Sequence, residues 1–108
     1  MSQAVRYGDR KDQIRKILET CARKRQTIFY SDLGPQVRIP QNGPWKPVLD
    51  LISLEERAAG RPDITYLVIS KTSGLPAQIE FEEAKPPRPD QRKIADEVIQ
   101  AVFNFYGQ

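Results

Sequence analysis

Ile64-Thr65-Tyr66-Leu67-Val68-Ile69-Ser70, followed by Lys71-Thr72-Ser73-Gly74-Leu75-Pro76 and then by Gln78 to Glu82, decides the fold class. β-Branched and aromatic side chains dominate 64–70, so this stretch predicts a strand, with the strongest β-propensity in the chain. Residues 71–76 carry turn chemistry and 78–82 alternate in polarity, so the two runs predict a β-hairpin. Immediately upstream, Trp45, Val48, Leu49 and Ile52 repeat at helical spacing, with Pro47 in the first turn and Gly60 as terminator. This predicts a helix over about 44–59, preceded by a turn at Pro40-Gln41-Asn42-Gly43-Pro44. Further back, Ser31 offers an N-cap to a short helix carrying Leu33 and Val37, with Pro35 expected in its first turn. Thr27-Ile28-Phe29-Tyr30 reads as a short strand, and Ile14, Ile17, Leu18 and Cys21 predict a helix over about 10–25. Downstream, Lys85-Pro86-Pro87-Arg88-Pro89 is a stiff connector, and Asp90 caps a last helix to about Tyr106. The order is helix, strand, helix, helix, hairpin, then an appended helix. That is a winged-helix-like α+β domain spanning 1–108.

The bulk composition supports one folded domain. The chain has 108 residues, 39% hydrophobic and 29% charged, ordinary values for a globular protein. No apolar run approaches the roughly 20 residues that span a bilayer. Met1-Ser2-Gln3-Ala4-Val5-Arg6 has no apolar core of a secretory signal, and Cys21 is alone, so the expectation is a reducing cytoplasm without disulfides. There is no histidine. That removes His-ligated zinc and the Ser-His and Cys-His arrangements, leaving carboxylates, lysine and tyrosine for any chemistry. No cofactor is expected. The net charge of +3 is unevenly spread: residues 1–26 hold eight basic and three acidic residues, a net +5, and the remainder is −2.

Tyr30-Ser31-Asp32-Leu33-Gly34, Gly43-Pro44-Trp45, Leu49-Asp50-Leu51-Ile52-Ser53, Glu55 to Pro62 and Val68 to Pro76 together resemble a pattern in small bacterial and prophage-type proteins. The resemblance covers about residues 27–76. It implies a winged-helix-type module and no particular biochemical role.

Three kinds of site follow from the residues. The first is nucleic-acid binding, as by a winged-helix regulator on double-stranded DNA. The helix at 44–59 sets Lys46 and Arg57 against Asp50, Glu55 and Glu56, a net −1, which suits phosphate poorly. The basic first helix predicts i, i+4 pairs, Asp12 with Lys16 and Glu19 with Arg23. Arg6, Arg23, Lys24, Arg25 and, in the hairpin, Lys71 are the candidate phosphate contacts. The second is a Mg²⁺-dependent nuclease, because Pro62-Asp63 and Glu83-Ala84-Lys85 match the PD-(D/E)xK signature, with Asp63 and Glu83 on the metal and Lys85 beside the water. The third is a protein partner. Ile94, Ala95, Val98, Ile99, Val102, Phe103, Phe105 and Tyr106 make an apolar face wider than one stripe. That face either fills the core or presents Phe103 and Tyr106 to a partner or a second copy, forming a homodimer. The acidic run Glu80, Glu82 and Glu83 suits a surface that normally holds nucleic acid. The leading expectation is a non-enzymatic module acting on a protein or nucleoprotein, for instance a phage-type, anti-CRISPR-like inhibitor of a host defence complex, with no membrane involvement.

Overall fold

The computed structural model describes residues 7–40, 45–71, 74–76 and 89–107, with the backbone alone at 89–91. The second hairpin strand at 78–82, most of the 40–44 turn and the 85–88 part of the connector lie outside the described residues. Among the described residues, four α-helices and a two-stranded parallel sheet give an α+β fold. A 3-10 turn at Gly8–Arg10 leads into α1 (Lys11–Arg23), then β1 (Ile28–Phe29), α2 (Tyr30–Val37) and α3 (Trp45–Ala58). A second 3-10 helix (Ile64–Leu67) runs into β2 (Val68–Ile69), and α4 (Pro89–Tyr106) closes the order. Among the described residues no helix is long and apolar enough to cross a membrane.

The helices bury the stripes their spacing dictates. In α1, Ile14, Leu18 and Ala22 are fully buried at four-residue intervals. In α3, Trp45, Val48, Leu49 and Ile52 face the same core, and the stripe continues to a buried carboxylate, Glu56. Trp45 anchors α3 twice, packing at a tilt against Tyr30 with 5.1 Å between centroids and donating its indole N–H to the Pro40 carbonyl at 3.0 Å. Val102 and Phe103 of α4 join this cluster.

Two expectations change in detail. Residues 64–70 are not one strand: Ile64–Leu67 wind into a 3-10 helix and only Val68 and Ile69 pair. The cause is Asp63, whose side chain accepts from the Thr65 N–H at 3.0 Å and caps the turn. Winding puts Ile64 and Leu67 on one side, both fully buried against the helices. Ser31, expected to cap α2, lies inside it, and Pro35 sits in the second turn rather than the first. Pro35 has no N–H to offer the Ser31 carbonyl, which accounts for a helix of eight residues that stops at Arg38 in the left-handed region.

β1 and β2 pair in parallel, Ile28 opposite Val68 and Phe29 opposite Ile69. After β2 the chain reverses: Gly74 N–H donates to the Ser70 carbonyl at 2.8 Å, Ser70 N–H to the Leu75 carbonyl at 3.0 Å, and Ile69 bridges Pro76 in antiparallel sense. Gly74 has φ +73°, which this tight turn requires.

Candidate functional site

The carboxylates that counted against a basic surface are spent inside the molecule. Glu56 is fully buried and accepts from Arg15 at 3.1 Å, from Arg61 at 2.8 Å and from the Tyr106 hydroxyl at 2.6 Å. Its neighbour Glu55 holds Lys11 and takes Arg15 at 3.0 Å. The Lys11 hydrogen bond, with Arg15 behind it, sets the Glu55 carboxyl below its usual range. Burial works against the Arg15 cation, but its bonds to Glu56 and Glu55 outweigh that and raise its pKa. Burial first, then the bond to Glu56, push the Tyr106 hydroxyl up to about 12. The network ties α1, α3 and α4 together.

This arrangement reverses the expected pairing along α1. Glu19 turns to Arg15 at 3.5 Å, and Asp12 approaches Lys11 at 3.8 Å. Neither the Asp12–Lys16 nor the Glu19–Arg23 pair forms. The reason is the desolvated guanidinium of Arg15, which draws acids from three positions to one side of the helix. Lys16, Arg23 and Lys24 are exposed and have no carboxylate partner among the described residues. α3 changes sign in the same way. With Glu55 and Glu56 turned toward α1, its outer face keeps Lys46, Arg57 and Asp50, a net +1.

At its C-terminus, α1 presents its cations on a constrained backbone. Gln26 N–H donates to the Cys21 carbonyl at 2.9 Å and Arg25 N–H to the Ala22 carbonyl at 3.0 Å, the paired bonds of a Schellman motif. α3 ends the same way, Arg61 N–H to Glu56 carbonyl at 2.9 Å and Gly60 N–H to Arg57 carbonyl at 3.1 Å. α3 uses Gly60 at the left-handed position, φ +70°, whereas α1 uses Arg25, φ +56°. A side chain in that region costs roughly 1–2 kcal/mol. A cation near a helix C-terminus returns about 0.3–1 kcal/mol through the dipole, and Arg23 and Lys24 already supply that. The Arg25 head is exposed and donates to the Asn104 amide oxygen of α4 at 3.2 Å. Cys21, a turn earlier, is half-buried, and burial raises its thiol pKa against the pull of Lys24, so it is a packing residue.

The other candidates fall as follows. Lys71 is exposed on the turn after β2, its Nζ 5.3 Å from the centroid of the Phe29 ring. Phe29 is 38% exposed and was absent from the expected site, because a strand aromatic in isolation reads as packing. Phe103 is only 7% exposed and belongs to the core, and Tyr106 is half-buried on Glu56. Phe103 thus packs in the domain's own core, and the Tyr106 hydroxyl is engaged within the domain. Asp63 has both oxygens engaged: one accepts from Thr65 N–H and Oγ1, the other from Ser53. Its visible work is to shape the 64–67 helix. Arg6, Glu80, Glu82, Glu83 and Lys85 lie outside the described residues. A separate polar cleft of about 300 Å³ opens beside Asp63, with Lys46, Asp50, Arg57 and Tyr66 in its walls. No known protein family, curated protein or solved structure matches the chain.

Proposed function

We propose that the protein is a non-enzymatic binding module for nucleic acid, free or held in a nucleoprotein complex, docking through the C-terminal end of α1. One observation carries this reading: Arg23, Lys24 and Arg25 are exposed without carboxylate partners among the described residues, on a helix end that accepts an arginine where its counterpart in α3 has glycine. Arg38 takes the same conformation at the end of α2, so what distinguishes Arg25 is its place in an exposed cluster of cations without carboxylate partners among the described residues. Lys16 extends the same charge about two turns back along the helix. The order of helices around a short sheet and the chain reversal at 70–75 support a winged-helix-type form of the module.

Duplex binding at two salt concentrations tests the proposal. Three phosphate contacts weaken binding about 40-fold between 50 and 200 mM salt, at a slope of about 0.9 per contact. The variant Arg23→Gln/Lys24→Gln/Arg25→Gln is expected to lose that salt dependence. Arg25→Gly separates binding from folding. It relieves the left-handed side chain, so it keeps or raises Tm while lowering the slope by about 1. Absence of duplex and single-strand binding at both salts overturns the proposal and leaves a protein partner to be sought.

A further inference from the structure

We infer that Phe29, framed by Lys71 and a short reach from the Arg23–Arg25 end of α1, is a stacking platform for an unpaired base, so the module prefers single-stranded nucleic acid to duplex. This rests on the nucleic-acid reading above and names its substrate class.

The placement of Phe29 follows from strand geometry. Successive side chains of β1 point to opposite faces, and Ile28 takes the inward one, packed against the core. Phe29 is therefore the outward residue of a strand pinned at Ile28↔Val68 and Phe29↔Ile69. It is one of four large exposed apolar side chains among the described residues, with Leu54, Ile94 and Phe105. Phe105 packs edge-on against Tyr106, whereas Phe29 meets no other aromatic ring among the described residues. Its neighbour is a cation, Lys71, whose Nζ lies over the ring, 5.3 Å from the centroid, so a base stacking on that face takes the place of the ammonium, which then meets the phosphate. The Arg92 guanidinium comes up to the same turn, 3.2 Å from where a Cβ on Gly74 would stand.

An aromatic face beside cations matches one ligand chemistry closely. Single strands are held by rings that stack on bases while Lys and Arg follow the phosphates. A paired base offers only its edges, so the π-face is available only where the strand is unstacked. Arg25 and Phe29 are four positions apart, which limits their Cα separation to about 14 Å of extended chain. That matches about four phosphates at the 3.4 Å spacing of a stacked strand, and fewer in an extended one. Phe carries no hydrogen-bonding group, so the platform accepts any base, and it has no means of telling DNA from RNA.

The test is fluorescence anisotropy with labelled dT20, rU20 and a mixed 20-bp duplex at fixed salt. Wild type, Phe29→Ala, Phe29→Leu and Phe29→Trp are compared. The expected result is tighter binding of dT20 and rU20 than of duplex. Phe29→Ala and Phe29→Leu should weaken the single strands by about 5- to 150-fold, the range of one lost stacking contact. Phe29→Trp should restore them, and duplex binding should change less than about twofold in all variants. Preference for dT20 alone or rU20 alone places a 2′-hydroxyl contact elsewhere and still requires the Phe29 effect. Equal losses on single strand and duplex, or none, overturn the platform while leaving the phosphate contacts standing. If wild type binds neither form, the underlying reading fails as well. Phe29 is part-exposed, so melting temperatures measured alongside are expected to stay close to wild type and to exclude misfolding as the cause.

Discussion

Glu56→Ala is expected to remove about 3–5 kcal/mol of folding stability, a large share of the roughly 5–15 kcal/mol a domain of this size has. The substitution loses little apolar contact. It leaves three donors aimed at an empty position: Arg15, whose side chain is 16% exposed, Arg61 and the Tyr106 hydroxyl. Removing one member of a buried ionic group costs the desolvation of the members left behind, which is why the cost exceeds that of an ordinary hydrogen bond. Glu55 cannot take over, because it already holds Lys11 and a second edge of Arg15. Glu56→Gln keeps the shape and an acceptor oxygen, so its cost should be smaller but real. The combination Glu56→Met/Arg15→Met should cost clearly less than the two single changes added together, since each removes the other's stranded partner. Urea denaturation of wild type, Glu56→Ala, Glu56→Gln, the two single methionine changes and their combination decides it. A loss under about 1 kcal/mol for Glu56→Ala would sink the claim that this carboxylate ties α1, α3 and α4 together.

The same network sets the alkaline limit of the fold. The Tyr106 hydroxyl is held up at about 12 in the native protein, above its ordinary 10.0, so folding favours its protonated form. Its contribution is therefore fully present below pH 10 and is lost as pH climbs from 10 to about 12. Glu55 acts in the opposite direction. Its pKa is lowered on folding, so its contribution is present above the ordinary carboxylate range and is lost as pH falls through the lowered native value. Tyr106→Phe should flatten the alkaline limb of Tm against pH and leave the acid limb in place. An unchanged alkaline limb would mean that the hydroxyl bond to Glu56 contributes nothing at equilibrium.

The core was legible in the sequence wherever periodicity alone determines it. Ile14 and Leu18, then Trp45, Val48, Leu49 and Ile52, are buried at the positions their spacing picks out, and Gly60 ends α3 as expected. The charge pattern was misleading because i, i+4 pairing is a local rule and these pairs are not local. Arg15 meets Glu55 and Glu56 across forty residues or more of chain, and that long-range contact decides where Glu19 points. The Tyr106 hydroxyl bond was hidden for the same reason: an aromatic near a helix end gives no sign that a buried carboxylate waits for its hydroxyl. Arg25 carried a readable signal that went unused. The helix-ending segment Cys21 to Gln26 contains no glycine, so a left-handed terminator there falls to a residue with a Cβ.

Leu67→Ala is expected to cost about 2–5 kcal/mol, the range for a buried leucine truncated among packed neighbours. Leu67 is fully buried, and its 3-10 helix touches α1, α3 and α4, so the cavity it leaves has walls from three helices that cannot all close in. The pattern across neighbouring positions distinguishes this geometry from the strand that 64–70 resembles by propensity. In a strand, Ile64, Tyr66 and Val68 share one face, and Leu67 belongs with Thr65 and Ile69 on the other. In the 3-10 helix, Ile64 and Leu67 stand one above the other, three residues apart, while Tyr66 turns partly outward. Ile64→Ala and Leu67→Ala should therefore be similarly costly, and Tyr66→Ala milder than either. Asp63→Ala should weaken the cap without emptying the core, adding about 1 kcal/mol. Chemical denaturation of the alanine series reads this directly. Equal costs for Ile64 and Tyr66 with a mild effect at Leu67 would restore the strand and remove the hub on which the three helices converge.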